Sequence, residues 1–184
     1  MAKQFPAIDE NLAAFMASQK IFFTATAAEG ARVNISPRST EHLHQTNERE
    51  MVYLDLTGSG SETAAHLRAD GRMTIMFCAF EGTPRILRLY GTGHVAFRGS
   101  PSYRAFLASH YADCEPLGAR QIVTLSVELV QTSCGFAVPM FEHTGERSVL
   151  DRWAEAKGEE GLRAYREEKN LTSIDGLPTG FTET

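Results

Sequence analysis

Short apolar runs separated by polar turns fill most of the chain, and a charged helical pattern follows them. Asp9-Glu10-Asn11 precede Leu12, Ala13, Phe15 and Met16, an apolar stripe that predicts a helix from Asp9 to about Gln19-Lys20. Ile21 to Thr26 reads as a strand. Ala28-Glu29-Gly30 turns it back into Arg32 to Ser36, which makes a hairpin. Pro37 has no N–H to give a ladder, so the returning strand is expected to end or open there and to free Ser36 and Arg38. The polar stretch Ser39 to Glu50 reads as a loop. Met51 to Leu56 and Met73 to Phe80 are nearly continuous apolar runs, as buried strands are. Arg85 to Phe97 is a long strand interrupted by Gly91 and Gly93, the mark of a bulge or tight bend. Ser100 caps a helix that opens with Pro101 and runs to Tyr111. Gln121 to Thr132 alternates as a strand. Ser148 to Lys169 is helical, with Leu150, Trp153, Ala154, Leu162 and Tyr165 as a broken apolar face, and Ser173 to Thr184 is loop-like. Tight turns between successive strands imply an antiparallel or mixed closed sheet.

Between the two buried runs lies TGSGSETAAHLRAD, a glycine-rich turn leading into a short helix that stops at Gly71. Ser59 with Glu62 fits a capping box, and Ser61 is an alternative N-cap. A strand that delivers such a turn to a helix start aims free N–H groups and the positive dipole end at one point, which suits a phosphate. An ordinary capped helix is the competing reading. No GK[ST] follows, and Gly58-x-Gly60 lacks the third glycine of a dinucleotide fingerprint. Arg38, just beyond Pro37, is a candidate donor to a phosphate or a flavin carbonyl.

Composition narrows the classes. A net charge of -5 with no basic run argues against non-specific nucleic-acid binding. No apolar stretch reaches membrane-spanning length, and MAKQFPAIDEN has no signal-peptide core. Cys78, Cys114 and Cys134 are too far apart for a CxxC zinc site, so reduced thiols in a cytoplasmic protein are expected. His42 and His44 lack a third ligand, and no metal is expected.

The helix leading into FFTATA, then RVNISPRS, VYLDLTGSGSETAAHLRADGR, TIMFCAF and RILRLYG together resemble the pyridoxamine 5′-phosphate oxidase-like family of FMN-binding split barrels, over roughly Asp9 to Pro139. The resemblance implies a mainly β fold with flanking helices, an antiparallel split β-barrel of FMN-binding type over residues 1–140. Residues 141–184 would form a helical extension packed on the barrel or on a partner. It also implies a homodimer with flavin sites at the interface, FMN as cofactor and a small-molecule substrate. The cofactor-binding residues it points to are Arg32, Asn34, Ser36, Pro37, Arg38, Leu56, Thr57, Ser59, Ser61, Glu62 and Thr63. Catalytic residues are not identifiable.

Departures from the family pattern limit the activity. RILRLYG matches the oxidase signature RQVRVEG but carries Ile86 where the flavin-contacting glutamine stands. SETA replaces SRKA, so Glu62 and Thr63 take the places of the phosphate-binding arginine and lysine. The compensating cation is then expected from Arg38 or Arg32. The C-terminal RLHDR motif and the tyrosine–arginine–serine substrate triplet have no counterpart, so vitamin B6 oxidase activity is not expected. An FMN-dependent oxidoreductase is the leading function. The alternatives are a non-catalytic flavin reservoir or sensor, and a split barrel using F420 or haem. Among the histidines, His66 and His94 lie on predicted regular elements, where a haem would need its axial ligand.

Overall fold

The computed structural model describes residues 2–182. Glu183 and Thr184, the end of the expected loop, lie outside the described residues. Eight strands make one sheet: β1 (Lys3–Phe5), β2 (Ile21–Thr26), β3 (Asn34–Ser39), β4 (Leu43–Asn47), β5 (Glu50–Leu56), β6 (Arg72–Cys78), β7 (Ile86–Phe97) and β8 (Ala119–Ser133). Four helices flank it: α1 (Glu10–Ser18), α2 (Glu62–Ala69), α3 (Pro101–Tyr111) and α4 (Val149–Lys169), the last broken at Gly158. Every strand pairing is antiparallel. The order is β3-β2-β6-β7-β8-β5-β4, with β1 added against β8. The sheet curls into a half-barrel whose edges are β3 and β4.

Strand alternation sorts the side chains. In β2, Phe22, Thr24 and Thr26 face inward. The interior fills with Phe22, Tyr53, Ile75, Phe77, Leu87, Leu89, Val123 and Leu125, and α1 closes one end with Ile8, Leu12 and Met16 around it. On the outer face, Tyr103, Phe106 and Leu107 of α3 cover Val52, Leu54 and Ile122. β5 is therefore buried on both sides, which explains its unbroken apolar run.

Two expectations from the sequence are corrected. β3 does not stop at Pro37. It continues to Ser39, with Pro37 opposite Phe23 and Arg38 opposite Phe22. An edge strand tolerates a missing N–H that would face solvent rather than the ladder. Arg38 thus lies in a paired strand and its side chain turns into the barrel. The stretch Ser39 to Glu50 is not all loop, because a 3-10 turn at Thr40–His42 leads into β4, which pairs with β5. Its polar residues fit an edge strand that is largely open to water. The glycine signal in β7 was informative: the register with β8 shifts between Tyr90 and Gly91. A Cβ on Gly91 would meet the Ser126 carbonyl oxygen at 1.9 Å.

Candidate functional site

The site is built where β3, the end of β5 and the start of α2 converge. On β3, Asn34, Ser36 and Arg38 share the half-buried face, while Ile35, Pro37 and Ser39 are exposed. Asn34 donates to the Thr63 hydroxyl in the first turn of α2 at 3.3 Å. Thr63 and Ser61 are buried, Ser59 is exposed, and Leu56 is half-buried against the α3 cluster. The expected capping box between Ser59 and Glu62 is not formed. The N-cap is Ser61, and the Glu62 carboxylate accepts the Ser61 N–H at 3.0 Å. The Ser61 hydroxyl is drawn instead to the Lys169 carbonyl at 3.1 Å.

The turn from Thr57 to Gly60 is shaped from beneath. Arg120 of β8 donates to the Gly58 carbonyl at 3.0 Å and the Gly60 carbonyl at 2.7 Å, and Asn170 adds a second bond to Gly58 at 2.9 Å. In a trans peptide the next N–H points opposite to the carbonyl, so drawing these two oxygens inward turns the Ser59 and Ser61 N–H groups outward. Thr57 fixes the turn's start: its N–H and its hydroxyl both donate to the Gly118 carbonyl, and the hydroxyl accepts from Arg166 of α4 at 3.3 Å.

Beneath the turn lies a buried ionic group. Asp55, 1% exposed, accepts from Arg120 at 3.0 Å, from Gln121 at 2.7 Å, and from Arg38. Burial works against a charged carboxyl here. Arg120, Arg38 and the Gln121 hydrogen bond outweigh it and hold Asp55 below the usual carboxylate range. Arg38 also lies 4.8 Å over the Tyr53 ring and 3.4 Å from the Thr24 hydroxyl. Its guanidinium is desolvated, yet Asp55 keeps its pKa above the ordinary value. Arg38 is therefore committed first to Asp55, with an edge left toward the β3 face, where 22% of its side chain is exposed.

Arg32 is the cation at the other end. It is exposed, just before β3, and pairs with Asp175 from the C-terminal segment. His66, fully buried on α2, shares a hydrogen bond with the Thr26 hydroxyl at 3.0 Å. Its Nε2 has no partner among the described residues. His94 is on the exposed side of β7. The sequence reading had not singled out Asp55, Arg120, Arg166, Asn170 or Asp175. Only Asp55 carried a local signal, a carboxylate inside the apolar run MVYLDL. The larger clefts, about 850 and 800 Å³, lie around the turn from Phe80 to Pro84, away from this constellation. A cleft of about 400 Å³ bordered by Thr26, Val33, Met73 and Tyr90 opens beside the hairpin.

An antiparallel half-barrel with a polar strip between its edge hairpin and a strand–turn–helix segment defines a split-barrel protein. The chain belongs to the pyridoxamine 5′-phosphate oxidase family, whose model matches residues 8–134. It is similar to the pyridoxamine 5′-phosphate oxidase family protein ustO of Aspergillus flavus, 34% identical over 190 residues and covering 95% of this chain and 76% of that one. Among solved structures, HupZ of Group A Streptococcus superposes with a TM-score of 0.54 at 15% identity, over 68% of this chain and 99% of that one. A candidate pyridoxamine 5′-phosphate oxidase from Lactobacillus delbrueckii gives 0.53 at 12% identity, over 68% and 94%. At these identities the structures speak for the fold. Among the described residues, no helix is long and apolar enough to cross a membrane and no group of three metal-ligating side chains forms.

Proposed function

We propose that the chain is an FMN-binding oxidoreductase acting on a small substrate, with its flavin sites between two copies. The observation that carries this reading is the junction of β3 with the first turn of α2, where Asn34 meets Thr63 beside the exposed Arg32. The donors there fit FMN. Outward N–H groups of a shaped turn, two hydroxyls and an arginine suit a phosphate, and His66 Nε2, without a partner among the described residues, adds a buried polar atom nearby. Arg32, Ser59 and Thr63 are assigned to the phosphate, and Ser61 caps the helix beneath it. Asn34 and Ser36 line the ribityl chain. Arg38, backed by Asp55, presents its free edge to a ring carbonyl, and Pro37 and Leu56 supply apolar wall. Thr57 anchors the turn, and Glu62 holds the helix cap.

Bound there, FMN supplies reversible hydride and electron exchange. The chain's own contribution is orientation: the Arg120–Asp55–Arg38 group fixes both the turn and the ring-facing guanidinium before ligand arrives. Titrating FMN and riboflavin against wild type and two variants tests these assignments. Arg32→Ala should weaken FMN by about ten- to a hundredfold, the worth of one charge-assisted contact, and leave riboflavin unchanged. Arg38→Lys, which keeps the charge beside Asp55, should weaken both flavins alike. Equal losses of FMN and riboflavin in Arg32→Ala would remove Arg32 from the phosphate. Bleaching of bound FMN by NAD(P)H under anaerobic conditions would distinguish an enzyme from a flavin reservoir.

A further inference from the structure

The donors assigned to the ligand phosphate are already used by carboxylates of the chain itself. Asp175 accepts from the Arg32 backbone N–H at 2.8 Å and from the Arg32 guanidinium. Glu62 accepts the Ser61 N–H with one oxygen and the Ile174 N–H with the other, at 3.0 and 3.2 Å. Asp175 sits in a tight turn closed by the Ser173 N–H on the Leu177 carbonyl and the Gly176 N–H on the Ser173 carbonyl, each 2.9 Å. Polarity is inverted at its tip. The Ile174 side chain faces water at 73% exposure, while the Asp175 side chain is only 12% exposed. Apolar burial does little to hold such a turn in place, because Ile174 is left outside and Leu177 is only half-buried. A second observation points to the same spot. His66 is buried with Nε2 unpartnered among the described residues, and it lies close enough to Asp175 to help hold that carboxyl below its usual range, after Arg32.

We propose that the turn Ser173–Leu177 is a latch over the phosphate end of the site, in which the Asp175 carboxylate stands in for the ligand's phosphate and leaves when the ligand binds. This rests on the FMN reading above. Charge supports the exchange. With the latch closed, the Arg32 guanidinium is paired with Asp175. Withdrawing Asp175 leaves one positive charge over, and a phosphate restores an anion to that position. The hinges are visible on either side. Asn170 is tied to Gly58 and to the Ser61 hydroxyl, and the Thr179 hydroxyl donates to the Asn170 carbonyl at 2.7 Å. Beyond it, buried Phe181 packs edge-on against Phe97. The turn can therefore swing out while α4 and Phe181 stay docked. Glu62 loses its Ile174 contact in the open state and keeps its Ser61 contact.

The test uses the full chain. Asp175→Asn should tighten FMN about tenfold, the size of the charge-assisted contact it no longer competes with, and leave riboflavin unchanged. In wild type, FMN should expose to hydrogen exchange the Ile174 amide, which is bonded across to Glu62, and riboflavin should not. Unchanged or weaker FMN binding by Asp175→Asn, with the Ile174 amide as protected in the FMN complex as in the free protein, overturns the latch and leaves the FMN reading standing. If Asp175→Asn fails to fold, the exchange experiment on wild type decides alone. If neither flavin binds, the FMN reading falls, and inorganic phosphate against chloride at matched ionic strength is the remaining probe. Exposure of the Ile174 amide by phosphate upholds the latch, and unchanged protection overturns it.

Discussion

Asp55 is the residue on which the interior charge turns. It is sealed from water, and two arginines and a glutamine amide converge on it. Removing its charge leaves Arg38 and Arg120 facing each other in a desolvated space, so Asp55→Asn should cost about 3–5 kcal/mol in denaturant unfolding at neutral pH. Because the folded pKa is depressed, its stabilisation is complete above the unfolded value of 3.8 and is lost as pH falls through the lower folded value. The variant should lack that acid limb. His44 acts at milder acidity. Burial, then His110 and His42, lower its pKa from 6.5, so the fold favours the neutral ring. Its hydrogen-bond partner Tyr111 and the nearby Glu41 complete the charged and titratable surroundings on α3 and the 3-10 turn. Stability from His44 is present above pH 6.5 and lost as pH falls below it. Unfolding midpoints measured from about pH 7 to 5 should therefore decline in wild type and decline less in His44→Gln. Asp55 was legible as an anomaly, but its partners were not. Arg120 and Gln121 lie far away in sequence, and only strand pairing brings them to one point.

At the level of elements, the helices and long strands were readable because their period and caps agree with their burial. Asp9 caps α1, Ser100 caps α3, and β5 is apolar throughout because both of its faces are covered. The two misread strands have one cause: β3 and β4 are edges, where proline and polar residues are tolerated and the usual breakers lose their meaning. Gly91 and Gly93 read alike in sequence but differ in the fold. A methyl at Gly91 would strike backbone, with the Ser126 carbonyl oxygen at 1.9 Å, whereas at Gly93 it would meet the mobile ends of Leu67 and Met73 at 2.6 to 2.9 Å. Gly91→Ala should destabilise by more than about 3 kcal/mol, or fail to fold, and Gly93→Ala by clearly less. Equal effects in thermal unfolding would mean that the bulge between Tyr90 and Gly91 relaxes freely.

For the whole molecule, family membership and the half-barrel follow from the residues that match along 8–134, whereas the C-terminal contribution does not. Lys169, Asn170 and Ile174 reach the strand–turn–helix segment from more than a hundred positions away, and no local pattern announces that return. The exposed Val33, just before the edge strand β3, and Ile35 on it, with Ile174 nearby, leave an apolar face that a second copy is proposed to cover. Light scattering at micromolar concentration should give about twice 20.3 kDa, and a clean monomer would remove the shared site. The central proposal, FMN at the junction of β3 with α2, meets its most direct test in a fluorescence titration of apo-protein. Binding predicts quenching that saturates with a dissociation constant in the low micromolar range or tighter, about −8 kcal/mol. No quenching at about 100 μM FMN, roughly −5.5 kcal/mol, would contradict it, most pointedly if the purified protein showed a Soret band in place of a flavin spectrum.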